Sequence, residues 1–242
     1  MKTNRHYIVL IVISFFLCSC HEENIGVYPD DSISFKDIVV ENYHSIEIAN
    51  NVSAFITFSD TEESITIESN SNLQDLIVAK IANNTLTVKL KNNIHLKSTP
   101  TLNVYITTKS IENIKAAADS NIKLENTWIA NEAHINITAD SNFTGPIDVN
   151  TLNLKATADA QADLYGDVNY LDAFLSADAA LIDYDLKVHD LKLKMTADCV
   201  ANLTVSHTIS IDAVADCTLN YRGHASIIHK RLKADSKIRK MN

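Results

Sequence analysis

The chain is 242 residues long and carries a formal net charge of −9, with 30 Asp and Glu against 21 Lys and Arg. That balance argues against nucleic acid as a partner, and against simple electrostatic binding to anionic lipid or acidic polysaccharide. Four cysteines in a chain of this length do not make a disulfide scaffold.

The N-terminus reads as a targeting segment. Lys2 and Arg5 precede a mostly apolar run from Tyr7 to Leu17, followed by Leu17-Cys18-Ser19-Cys20. A short apolar core behind positive charge is a secretory signal, and it is too short to span a bilayer. An ordinary signal peptide with an incidental cysteine is the simpler alternative. The spacing favours a lipobox, with residues 1–19 removed and Cys20 acylated, and several acyl chains on one residue anchor a protein stably to a membrane. Removing residues 1–19 takes away Lys2 and Arg5, which leaves 19 basic against 30 acidic residues, or −11. His21-Glu22-Glu23 resembles the surface-export signal of Bacteroidetes lipoproteins. Residues 20–33 read as a lipidated polar tether, within which Asp31-Ser32-Ile33 resembles a Bacteroidetes O-glycosylation acceptor.

Residues 34–110 have strand-like alternation at Val52-Ala54-Ile56-Phe58, Ile65-Ile67, Leu86-Val88-Leu90 and Leu102-Val104-Ile106. Asn83-Asn84 is placed to form a hairpin turn before Thr85. The pattern fits either a small sheet domain or a set of irregular first rungs.

From residue 111 to 242 the chain repeats. Ala-Asp followed by a small residue occurs at Asp119, Asp140, Asp159, Asp178, Asp198, Asp216 and Asp235, at spacings of 21, 19, 19, 20, 18 and 19 residues. Aligned on these aspartates, the third residue after is Ile122, Phe143, Ala162, Leu181, Ala201, Leu219 and Ile238. Five before come Ile114, Ile135, Leu154, Leu193 and Ile211, and seven before come Leu152, Leu171, Leu191, Ile209 and Ile228. Apolar residues at alternate positions have the period of a strand with one buried face. Nine before stands a polar column that includes Asn131, Asn150, Asn169, His189 and His207. It reads as a corner, because Asn tolerates left-handed backbone and stacked amides can hydrogen-bond along a ladder. A unit of about 19 residues is too short for a helical pair and fits one turn of a β-helix. Seven rungs at roughly 4.8 Å would make a core about 30 Å long, stabilised as a stack. The expected fold is all-β: a single-stranded, right-handed parallel β-helix preceded by an irregular β region. In the last rung Lys230 occupies an inward apolar column, and the tail Lys237-Ile238-Arg239-Lys240 reads as charge protecting an open strand edge.

The chain resembles the putative auto-transporter adhesin head domain family of Bacteroidetes lipoproteins. The resemblance covers roughly residues 35–240 and rests on Phe35-Lys36-Asp37-Ile38, Asn72-Leu73, Asn84-Thr85-Leu86-Thr87-Val88 and the repeated rung. It implies a right-handed parallel β-helix outside the cytoplasm, with no catalytic residues to carry over. The family's repeated motif is typically Gly-Ser-Gly, where this chain has Ala-Asp-small. That departure bears on any role tied to bare backbone at the corner.

The aspartate column is the most unusual chemistry. Carboxylates one rung apart repel by about 1 kcal/mol in water-like surroundings and roughly 3–4 kcal/mol at an effective dielectric near 20. Solvent and turn hydrogen bonds can offset this. A sharper reading makes Asp119, Asp140, Asp159, Asp178, Asp198, Asp216 and Asp235 a cation or ligand ladder, since hard oxygen ligands suit Ca²⁺. A third makes aspartate pairs a glycosidase acid and base, which a uniform column does not favour. The structural reading is preferred. His189 and His207 could approach a metal with Asp190, but replacing Asn in the corner ladder explains them more simply, and no metal or other cofactor is expected. Cys199 and Cys217 share a buried small-residue column and fit free thiols, although a disulfide is geometrically allowed.

No phosphate-cradling glycine loop, His-Glu-x-x-His or nucleophile elbow occurs in the sequence. The sequence therefore predicts a non-enzymatic lipoprotein, anchored in the outer membrane through Cys20 and facing outward if the export signal acts. Its expected role is an adhesion or binding module for an extracellular glycan or protein. A structural or assembly protein of the envelope is the first alternative and a polysaccharide-active enzyme the second.

Overall fold

A computed structural model describes residues 25–39 and 42–242. The expected signal peptide 1–19, the lipidation site Cys20 and the acidic residues after it lie outside the described residues.

The chain enters as β1 (Ile25–Val27), then β2 (Ile33–Asp37), β3 (Ser45–Ala49), β4 (Ser53–Phe58) and β5 (Ser64–Asn70). A 3-10 turn at Ser71–Leu76 leads to β6 (Ile77–Ala82), β7 (Thr85–Leu90), β8 (Ile94–Leu96) and β9 (Leu102–Thr108). Of the segment 20–33 expected as a tether, residues 20–24 lie outside the described residues, and from Ile25 the chain pairs with the fold. β1 pairs in parallel with β8. The Asp30 carboxylate accepts the backbone N–H groups of Ser71 at 3.0 Å and Asn72 at 3.2 Å, and the Asn72 amide donates to the Tyr28 carbonyl at 2.8 Å.

The irregular region proves to be rungs with a cap. β3 lies parallel between β7 and β10 (Asn113–Ala117), and β4 lies parallel between β9 and β11 (Asn121–Leu124). The rung made by residues 45–58 is thus sandwiched between rungs that come later in sequence. Antiparallel β6 on β7, β5 on β9 and β2 on β5 then close this end of the stack. The Asn83-Asn84 hairpin forms as expected, with both residues at positive φ, 50° and 58°. One hydrophobic core runs from Tyr43 to Tyr221, so residues 34–110 and 111–242 are not separate domains.

The regular turns begin with β12 (Trp128–Thr138), β13 (Asn142–Thr157) and β14 (Gln161–Ser176), then β15 (Ala180–Leu181), β16 (Leu186–Thr196) and β17 (Val200–Val214). β18 (Thr218–Arg222), β19 (Ser226–Lys233) and β20 (Lys237–Lys240) end the stack. Every pairing among them is parallel and advances one repeat, as in Asn142↔Gln161 and Gln161↔Ala180. The column three after each aspartate runs in register as Ile122, Phe143, Ala162, Leu181, Ala201, Leu219 and Ile238. Large and small residues alternate along much of it, so that neighbouring rungs interdigitate at crystal-like density. The fold is a parallel β-solenoid of the expected rung length.

The corners differ from expectation in one respect. Both residues of all seven repeated Ala-Asp-small corners sit in the left-handed region, for example Ala158 at φ 57° and Asp159 at φ 59°. The Asn column is not left-handed, and β13 and β14 bend through Asn150 and Asn169 without leaving the strand. Asn50-Asn51, at φ 58° and 65°, forms the equivalent left-handed corner on the earlier rung. Each corner gives its amides to the next rung: Asp140 N–H donates to the Ala158 carbonyl at 3.0 Å, and Asp159 N–H to Ala177 at 2.9 Å. Repeated backbone bonding along the stack holds a conformation that L-residues otherwise disfavour by about 1–2 kcal/mol each.

The last rung departs too. Ile227, not Ile228, pairs with Ile209, and a register shift pushes Ile228 outward to 68% exposure. Lys230 lies opposite Ile211 and is exposed. No further rung covers this edge among the described residues, so charge there costs little and opposes edge-to-edge pairing.

Cys199 and Cys217 are free, fully buried thiols. Each donates to the carbonyls of its own corner, Cys199 to Thr196 at 3.3 Å and Cys217 to Val214 at 3.3 Å. Ser141 does the same toward Ala139 at 3.2 Å. Burial, reinforced by Cys217, pushes the Cys199 thiol up to about 11. Iodoacetamide at pH 8 should therefore spare Cys199 in the folded protein and label it after denaturation. Labelling at the rate of a free cysteine in native buffer would contradict the packing.

Candidate functional site

The seven aspartates do form a column. All are exposed, from Asp119 to Asp235. From Asp119 to Asp216 their backbone amides donate to the next rung, and the corner alanine carbonyls from Ala139 to Ala234 accept from the rung before, which leaves those backbone groups unavailable to an ion. Among the described residues, the gathering of three metal-capable side chains lies elsewhere, at His189, Asp190 and His207. The carboxylates stand in solvent, which is the inexpensive way to hold like charges one rung apart.

A second column carries more chemistry. The Asn131, Asn150 and Asn169 amides stack on successive rungs. Asn150 donates to Asn131 at 3.5 Å and Asn169 to Asn150 at 3.1 Å. In such a ladder each amide uses one donor and one acceptor on its neighbours and keeps the other pair free. Beside it, outward positions of the preceding arm align Asp148, Asp167 and Lys187 in register. Together these residues line a shallow groove of about 840 Å³ with a floor that includes Val149, Val168 and Val188. The exposed Ile129 marks one end and His189 the other.

The histidines continue the polar column but not its bonding. His189 Nδ1 lies 2.9 Å from one Asp190 carboxylate oxygen and His207 Nδ1 lies 2.8 Å from the other. The Thr208 hydroxyl donates to the same oxygen that His207 engages. The imidazoles stack with ring centres 4.6 Å apart, inclined by 30°. The Thr208 hydroxyl, with help from both histidines, holds the Asp190 carboxyl well below the usual range, at about 2, against a smaller upward push from desolvation. An extra residue in the bend of β17 brings His207 over Asp190: one residue separates Val188 from Asp190, and two separate the partners Val205 and Thr208.

Sequence columns anticipated the Asn stack and the proximity of His189 and His207. They missed Thr208, whose role depends on the bulge, and Lys187 and Asp167, which lie on an outward face where Asp repeats only from Asp148 to Asp167. They also missed Trp128, which is buried, donates to the Ile111 carbonyl at 3.1 Å and stacks on Phe58 at 5.9 Å. It plugs the core where the chain passes from β11 into the first full turn. As the chain's only tryptophan, it had no column to align with.

Several solved structures share this architecture. One described as a putative adhesin from Bacteroides fragilis superposes with a TM-score of 0.77 at 15% identity, covering 89% of this chain and 100% of that one. Another so described, from Parabacteroides merdae, gives 0.70 at 16% identity over 90% and 99% of the two chains. A protein from Parabacteroides distasonis described as a putative lipid binding protein gives 0.67 at 13% identity, over 90% and 100%. At these identities the likeness is one of fold. No curated protein matches the sequence. The model of the family described as "Putative auto-transporter adhesin, head GIN domain" matches residues 42–225, three quarters of the sequence. The chain belongs to that family.

Proposed function

We propose that this protein is an outer-membrane lipoprotein, anchored through Cys20, whose solenoid is a non-catalytic binding module for an extended polar ligand, a glycan first. The observation that carries this reading is the groove along the Asn131, Asn150 and Asn169 ladder, flanked by Asp148, Asp167 and Lys187. Half-satisfied amides and carboxylates repeating at rung spacing offer donors and acceptors to a polymer of hydroxyls. The adhesin-like family and fold agree with a surface or envelope role and with a non-enzyme. The exposed Asp column does not separate an acid from a base, as glycoside hydrolysis requires.

The test is binding to an array of host and microbial glycans, with calcium and with chelator, by the protein and by its Asn150→Ala and Asn169→Ala variants. Specific binding that either variant weakens by about tenfold, the worth of one good hydrogen bond, is the expected result. Binding should survive chelation, because the Asp column is read as solvated. Silence across the array would overturn the glycan reading and favour a protein partner or an assembly role. For the anchor, Cys20→Ala should move the protein from the membrane fraction to the soluble one.

A further inference from the structure

The cluster at the end of the groove has a second use. We propose that His189, Asp190 and His207 form a surface site for a divalent transition-metal ion of the zinc class, held by both imidazole Nδ1 atoms and one Asp190 oxygen.

The geometry is close to what such an ion needs. One ligand atom from each of the three residues already lies within 4.8 Å of the others, and each Nδ1 lies within 2.9 Å of an Asp190 oxygen. Zinc takes nitrogen and carboxylate oxygen at about 2.0–2.2 Å, which puts tetrahedral ligands roughly 3.3 Å apart. Closing that difference takes about an ångström of side-chain movement. Both imidazoles are half or more exposed, so rotation meets no packed neighbour wall. Backbone placement does not have to change, because β16 and β17 are paired on both sides of the bend.

The carboxylate is prepared for the role. The Thr208 hydroxyl donates to it and fixes its plane, as partners of metal-bound carboxylates do. In the ion-free arrangement a Nδ1–H of each imidazole points at Asp190. On binding, each ring carries its proton on Nε2, toward solvent, and both Nδ1 lone pairs turn to the ion. Two nitrogens and one carboxylate oxygen suit Zn²⁺, Co²⁺, Ni²⁺ or Cu²⁺, and they suit Ca²⁺ and Mg²⁺ poorly, since those demand oxygen donors. With three protein ligands the fourth position stays open to water.

Among the described residues, no other histidines gather in this way. His134 faces only Glu132 at 3.2 Å, and His229 shares Asp212 with Arg231, whose fixed charge would repel a cation.

The experiment is a calorimetric titration of the protein, prepared without a polyhistidine tag, with Zn²⁺, beside a Co²⁺ titration followed by visible absorption. One saturable equivalent and a tetrahedral Co²⁺ spectrum without a thiolate charge-transfer band are expected. His189→Ala and His207→Ala should each abolish the equivalent. Thr208→Val, which leaves all three ligands in place, should weaken it by about 10–100-fold. His134→Ala should change nothing, and thermal unfolding without metal confirms that the surface variants fold. Absence of a saturable equivalent would overturn the proposal, as would binding that survives both histidine variants. A thiolate band, which would put the ion on Cys199 and Cys217, would also overturn it.

Discussion

Phe143→Ala should destabilise the protein by about 3–5 kcal/mol, the usual cost of emptying a buried aromatic position. Phe143 is fully buried and stands between Ile122 and Ala162 in the inward column. The ring fits because Ala162, on the next rung, leaves room for it. Truncation leaves two small residues facing each other, and neither rung can slide to fill the gap while ladder hydrogen bonds fix both. In a solenoid each rung is stabilised by its neighbours, so the loss falls on both adjoining interfaces. Urea denaturation checks the magnitude, and hydrogen exchange checks the location. Protection should fall first in the rungs around β13. Moving the ring one rung on, with Phe143→Ala and Ala162→Phe together, should recover part of the loss because total volume is kept. A loss below about 1 kcal/mol for the single change would mean that the column is not close-packed.

Much of this architecture was written in the repeat. Ile114, Ile135 and Leu154 share a sequence column because they share a register, and the strand pairing reproduces it residue by residue. A repeat is legible because each rung meets the same neighbours, so the same position has the same requirement seven times over. Where the neighbours change, that legibility stops. The rung at residues 45–58 lies between later segments, a crossing that no local pattern announces. Ile228 matches its column in sequence and leaves it in space, where the pairing shifts register after Ile209 and Ile227. The candidate metal cluster was half legible. His189 and His207 fall in one column, but their meeting at Asp190 depends on the extra residue in the β17 bend.

The corners invite a sharper test, because their chemistry misdirects a reader of the sequence. The Asn column was the one that suggested left-handed backbone, yet at the repeated corners from Ala118 to Asp235 the left-handed positions belong to Ala and Asp. Aspartate is among the residues that visit this region most readily, and alanine carries the full steric penalty of its Cβ. Ala158 is representative. Its φ is 57°, its N–H donates to Ser176 at 3.1 Å and its carbonyl accepts the Asp140 N–H at 3.0 Å. Ala158→Gly should therefore stabilise the protein. It relieves about 1–2 kcal/mol of steric strain, against about 0.4–1 kcal/mol of added freedom in the unfolded chain, for a net gain near 0.5–1 kcal/mol. Ala158→Val should lose about 1–3 kcal/mol, because a β-branched residue is a true outlier at positive φ. Removing a methyl group and adding two at the same position should thus shift the melting temperature with opposite signs. In an ordinary strand the order reverses, since glycine weakens a strand and valine favours it. The sign of the glycine variant alone therefore reports the backbone conformation. Glycine at these corners in the wider family would answer the same geometric demand that Ala-Asp meets here through the ladder bonds above and below it.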